Sequence, residues 1–85
     1  MAARATILLF ATARLAVGRP EIAWSVDAKG TTVGALVRSL GGRYPKLAPI
    51  LATCRFVLNG RYVANRATRV RPGDEFAIHP PYGGG

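Results

Sequence analysis

Acidic side chains, cysteines and long apolar runs are all scarce in these 85 residues, and each scarcity removes a class of function. No apolar run approaches the ~20 residues that a helix needs to cross a bilayer, which predicts a soluble chain with no membrane partner. Residues 5–13 come nearest to the apolar part of a secretion signal. Thr6 and Thr12 interrupt them, Arg14 follows and no convincing cleavage site is present, so they read as a first strand. The single cysteine, Cys54, has no partner for an internal disulfide, and one histidine beside it does not make up a Cys/His metal set. A reducing cytoplasm fits that usage. Of the four acidic residues, Asp74 and Glu75 are adjacent, so on a strand they point to opposite faces and make a poor acid/base pair. Residues 31–34 lack a phosphate-loop pattern, and Gly41-Gly42 lacks the spacing of a dinucleotide fingerprint. No catalytic constellation is left inside the domain.

What is present is a globular composition, 49% hydrophobic and 19% charged. The length predicts one domain over residues 1–85, with a single modest core and no cleft between domains. Twelve lysines and arginines leave a net charge of +8, which favours anionic partners. They are dispersed from Arg4 to Arg71, and only Arg61, Arg66, Arg69 and Arg71 approach a cluster. That spread reads as a solvated surface suited to an acidic protein face, and it argues against nucleic acid.

Taken in order, residues 5–11 are nearly all apolar, which predicts a strand covered on both faces in the middle of a sheet. Residues 12–17 can form one or two helical turns, stopped by Gly18 and Pro20. Ile22, Trp24 and Val26 alternate with polar or small residues, so a second strand should pair with the first as a hairpin. Thr31 or Thr32 supplies a helix cap, and Val33, Leu36, Val37 and Leu40 follow at helical spacing. Gly41-Gly42 is expected to end that helix. Leu47, Ile50 and Leu51 fit a short turn over the edge of the core. Asn59-Gly60 between residues 55–58 and 61–63 is the favoured pair for a tight type I′ hairpin. Pro72-Gly73-Asp74 makes another turn, with Asp74 bonding its own backbone, and Phe76 and Ile78 then mark a final strand. The first and last strands are expected to lie parallel in the middle of one mixed sheet, with the helix across one face.

Two residues and the tail remain as candidates. Apolar flanks suit Cys54 to a packed thiol, since no neighbouring charge argues for a lowered pKa. His79 falls on the polar side of the last strand, either as surface or as a contact beside the tail. The sequence ends Pro80-Pro81-Tyr82-Gly83-Gly84-Gly85. Prolines hold the preceding residues extended, and glycines without a Cβ pass a channel too narrow for any side chain. A free carboxylate on Gly85 would then be a chemical handle on a stiff stem, with residues 83–85 as its flexible tip; a disordered terminus is the bland alternative.

The run Leu8-Leu9-Phe10-Ala11-Thr12-Ala13-Arg14 with Val17-Gly18, the Thr32-Val33 helix start, Leu58-Asn59-Gly60, and Pro72-Gly73-Asp74-Glu75 through His79-Pro80-Pro81 to Gly84-Gly85 together resemble the ubiquitin-like sulfur carriers. Within that family the likeness is greatest to the small subunit of molybdopterin synthase. The resemblance implies an α+β fold of the β-grasp type, a mixed sheet with one main helix packed across one face. It implies a carrier that binds no cofactor itself, whose C-terminal glycine is adenylated with ATP by a ubiquitin-activating-type adenylating enzyme and converted to a thiocarboxylate. The tail would then enter the large subunit of molybdopterin synthase and give sulfur to cyclic pyranopterin monophosphate. On the same footing Gly85 bears the sulfur and Gly84 threads the channel. Phe10, Tyr62 and His79 form an exposed patch for both partners, Arg14 lies nearby, and Pro80 and Pro81 form the stem. His79 stands where close relatives carry an aromatic apolar residue, Gly83 adds a third glycine, and the chain is unusually basic. Carriers for thiamin, cysteine or tRNA thiolation are therefore alternative readings, and a basic β-grasp module that binds RNA or protein is another.

If the positive charge serves an acidic protein face, raising salt from about 50 to about 200 mM should slow partner association by roughly tenfold, as measured by stopped flow. RNA should show no binding tighter than about 1 μM at physiological ionic strength; tighter, strongly salt-dependent binding would reverse the assignment.

Overall fold

In the computed structural model, which describes residues 3–81, β1 (Arg4–Leu9) and β2 (Glu21–Ser25) flank α1 (Ala11–Val17). There follow β3 (Thr31–Thr32), α2 (Val33–Arg43), α3 (Ala48–Leu51), β4 (Arg55–Leu58), β5 (Arg61–Tyr62), β6 (Arg69–Val70) and β7 (Glu75–His79). The main sheet has the order β2-β1-β7-β4-β5, and β3 and β6 form a separate two-residue ladder. β1 and β7 are parallel, with Leu9 opposite Ile78, and every other pair is antiparallel. The residue pattern led to this mixed sheet with parallel end strands, and it is the β-grasp arrangement that the resemblance implies.

Helix α2 starts where Thr32 Oγ1 accepts a hydrogen bond from Ala35 N–H at 3.1 Å. Its stripe Val33, Leu36, Val37 and Leu40 is buried on one sheet face against Ile7, Leu9, Phe76 and Ile78. Each fully buried leucine there is worth roughly 1.5–3 kcal/mol of apolar transfer. α3 adds Leu51, and Leu47 just before it is also fully enclosed. Among the described residues no helix is long and apolar enough to cross a membrane.

Two expectations are corrected. β1 is not covered on both faces: Ala5, Ile7 and Leu9 are buried, whereas Thr6 and Leu8 are only half-buried. The three helices share one core, so the opposite sheet face has no layer over it among the described residues. Nor do Gly41 and Gly42 end α2, which runs through both to Arg43 and stops at Tyr44, one residue before Pro45. Gly41 instead permits a close approach, since a Cβ there would sit 3.3 Å from Ala48 Cβ on α3. The first hairpin forms as expected, with α1 inside its connection.

The Asn59-Gly60 turn has positive φ at both residues, 50° and 84°, as type I′ demands. Asn59 also clasps the start of β7: its N–H donates to Glu75 O at 2.8 Å, and its Oδ1 accepts from Glu75 N–H at 2.9 Å. Its Nδ2 donates to Asp74 Oδ1, while Asp74 Oδ2 accepts from Arg71 N–H at 2.8 Å. Asp74 thus organises its turn as its position suggests.

Two left-handed glycines separate local strain from packing. Gly18, at φ 86°, has open space where a Cβ would go, but at Gly30, also φ 86°, a Cβ would lie 2.6 Å from Val70 O. Gly18→Ala should cost about 1 kcal/mol, the left-handed penalty alone, and Gly30→Ala on the order of 3 kcal/mol. Urea unfolding midpoints at constant slope provide the comparison.

Candidate functional site

The uncovered sheet face is where the sequence-derived site residues meet. Phe10 follows β1 directly and is the N-cap of α1 in extended conformation. Its carbonyl accepts from Ala13 N–H at 3.0 Å and Arg14 N–H at 3.3 Å, so the chain turns sharply while the ring stays beside the sheet. Ala11 takes φ 50° to make that turn, a left-handed conformation that costs on the order of 1 kcal/mol with a Cβ present.

The parallel register that sets Leu9 opposite Ile78 brings the next two residues, Phe10 and His79, side by side. Their rings stack with centroids 4.5 Å apart and planes 8° from parallel. Such a pair contributes about 0.5–1.5 kcal/mol beyond its buried area. Arg14 completes the group: its guanidinium lies 6.0 Å from the Phe10 centroid, and its Nε donates to Leu9 O at 3.2 Å. Both rings are half-buried, leaving part of each to solvent.

Tyr62 does not touch that stack but shares its face. Antiparallel pairing sets Tyr62 opposite Val57 and Val57 opposite Ala77, and parallel pairing sets Ala77 opposite Leu8. Leu8, Ala77, Val57 and Tyr62 therefore form one row across four strands, ending in a tyrosine 73% exposed. The next row holds His79 and Arg55. Beyond β7, Pro80 is half-buried and Pro81 exposed. The three glycines Gly83, Gly84 and Gly85 lie outside the described residues.

The residues that sequence reasoning missed are Leu8, Val57 and Ala77, which make the floor between Tyr62 and the stack. A signal for them existed. One main helix covers one face of a sheet, so alternate apolar residues of β1 had to look the other way.

Cys54 borders the Tyr62 end of this region, where it lines a pocket of about 370 Å³ together with Arg55 and Tyr62. Its Sγ donates to Ile50 O at 3.2 Å, and burial pushes its thiol pKa up, opposite to the shift that would make a nucleophile. It behaves as the packed thiol expected.

A face that is apolar at its centre, bordered by arginines and continuous with a proline stem has the character of a protein-docking surface. Known proteins carry the same frame. Small archaeal modifier protein 3 of Haloferax volcanii is 37% identical over 86 residues, covering 89% of this chain and 92% of that protein. A Pyrococcus furiosus protein described as a molybdopterin converting factor, subunit 1, superposes with a TM-score of 0.82 at 23% identity, covering 93% of this chain and 98% of that one. A protein–protein complex of subunits 1 and 2 of molybdopterin-converting factor from Helicobacter pylori contains a chain that superposes with a TM-score of 0.69 at 20% identity, covering 96% of this chain and 99% of that one. The latter two likenesses are of fold. The ThiS family model matches residues 7–85, from the middle of β1 through the last glycine, and the chain belongs to the ThiS family.

Proposed function

We propose that this protein is a sulfur carrier that acts as the small subunit of molybdopterin synthase. The observation that carries the reading is the uncovered sheet face with the Phe10 and His79 stack at the base of the Pro80-Pro81 stem. A carboxylate is a poor acyl electrophile. In this reading an adenylating enzyme with ATP joins AMP to the Gly85 carboxylate with release of pyrophosphate, and hydrosulfide from a sulfur donor then displaces AMP to leave a thiocarboxylate. The carrier binds no cofactor of its own and contributes position: Gly84 and Gly83 thread the partner's channel while the face holds the domain at its mouth. Acid/base groups, which this chain lacks, come from the large subunit. Two carriers serve each product, one for each sulfur. The paired prolines and the Leu9-Phe10 to Arg14 segment favour the pterin acceptor over the thiazole of thiamin.

A second reading is favoured by the 37% identity to a protein named a modifier. A lysine amine could attack the Gly85 carbonyl of the same adenylate, forming an isopeptide bond as AMP and a proton leave. Both readings need the activated Gly85, and they part at the nucleophile.

Three outcomes test the proposal. Adding one residue after Gly85, or deleting it, should abolish ATP–pyrophosphate exchange by the adenylating enzyme while circular dichroism stays native; normal exchange would remove the tail from the mechanism. Tyr62→Ala and Phe10→Ala should each weaken binding to the large subunit by ~2 kcal/mol or more, about thirtyfold in Kd by calorimetry. Tyr62, being exposed, should lose little stability. Finally, thiocarboxylated protein mixed with the large subunit and cyclic pyranopterin monophosphate should yield molybdopterin, and the form lacking Gly85 should not. Lysine conjugates without thiocarboxylate would decide for the modifier, and sulfur delivered to a thiazole, cysteine or tRNA acceptor would keep the carrier but replace the pterin.

A further inference from the structure

Among the described residues β2 ends the main sheet, so one of its sides is bonded to β1 and the other is open. The ladder itself fixes which groups face the open side. Val26 N–H donates to Ala3 O at 3.0 Å and Leu9 N–H donates to Pro20 O at 2.8 Å, and antiparallel pairs in phase with these are the hydrogen-bonded ones. Trp24 opposite Ala5 and Ile22 opposite Ile7 are in that phase, so their backbone groups are engaged with β1. Glu21, Ala23 and Ser25 are out of phase. Their N–H and C=O groups point away from the sheet, and all three residues are exposed. The other edge strand, β5, has only two residues.

Soluble proteins usually guard such an edge with proline, lysine, a bulge or a covering element. Pro20 and Glu21 guard one end of β2, while Ala23, Trp24 and Ser25 carry no such device. Beside them runs a groove of about 300 Å³ lined by Ala23, Trp24, Ser25, Ser39, Arg43 and Tyr44. Trp24 and Tyr44 are half-buried, and the Arg43 guanidinium lies 5.9 Å from the Tyr44 ring centroid. The groove thus joins an aromatic surface to a fixed positive charge.

We propose that the β2 edge is a docking site for an extended, acidic peptide segment of another protein, which adds to the sheet as a sixth strand. Ala23 and Ser25 supply the new ladder, the groove takes one apolar side chain between Trp24 and Tyr44, and a carboxylate of the peptide meets Arg43. Charge selects this occupant over a second copy of the chain. Pairing two β2 strands would bring together two molecules of net charge +8, whereas an acidic peptide is attracted by the same field. The site lies at the far end of the sheet from Tyr62 and does not depend on the tail.

The probe is a capped, fluorescein-labelled nonapeptide of alternating valine and threonine with a central leucine and a glutamate near each end. Binding should shift the amide resonances of Glu21, Ala23 and Ser25 more than those of Ile22 and Trp24, and should change Trp24 emission. Ala23→Pro removes an edge-facing N–H without breaking the β1 ladder and should weaken binding about tenfold. Arg43→Glu should do the same. Should Ala23→Pro disturb the fold, N-methylation of alternate peptide amides on the edge-facing side gives the equivalent loss with unaltered protein. Shifts confined to the Phe10, Tyr62 and His79 face, or full affinity for the N-methylated peptide, would overturn the proposal. So would edge amides protected by self-association without peptide, or equal binding of a version with lysine in place of glutamate.

Discussion

The parallel pairing of β1 with β7 is the constraint on which the other features depend. Parallel neighbours need a long crossover, and here that crossover contains β2, all of α2 and α3, and the β4–β5 hairpin. It places the C-terminal strand in the centre of the sheet, where Phe76 and Ile78 meet Ile7 and Leu9 with no solvent exposure. The same register lifts His79 beside Phe10 and sends the chain out as Pro80-Pro81 at the edge of the uncovered face. A slip of one residue would turn His79 into the core and Ile78 out of it, so core and site are specified by one ladder.

The two faces of that sheet divide the labour. Three short helices cover one side, and the other keeps a row of apolar residues in view of solvent. In that row Leu8 and Val57 are half-buried and Tyr62 is exposed, so each leaves apolar area that a partner could cover. Asp27 and Asp74 are meanwhile held in turns, Asp27 by Lys29 N–H at 2.9 Å and Asp74 by Arg71 N–H. Glu21 and Glu75 are left as the acidic residues outside turn bonding, both exposed, so the arginines dominate the field around the domain.

Much of this was legible in the residues. The stripe of α2, its Thr32 cap, the Asn59-Gly60 turn and the parallel placement of the end strands all rest on local chemistry or on simple topology, and Phe10 and His79 share a face because each is out of phase with its buried neighbour. What could not be read depends on partners distant in the chain. Gly41 and Gly42 look like a helix stop until Ala48 arrives beside Gly41. Residues 5–11 look doubly buried until the helices are all found on one side. The β3–β6 ladder joins Thr31 to Val70 through two short pairs, too few residues to leave a periodic signal. The open phase of β2 is likewise a property of the ladder and invisible in composition.

The central place of β7 also bears on how the molecule is made. Glu75–His79 is the last of the sheet's strands to leave the ribosome, yet β1 and β4 have no contact ladder with each other and need it between them. Without it the pairs β2-β1 and β4-β5 have no strand to join them, and Ile7, Leu9 and Phe56 lack Phe76 and Ile78 to pack against. A chain cut short before Glu75 therefore has no finished sheet to bury them and is open to proteases. The strand that completes the sheet is thus the same one that carries the stem.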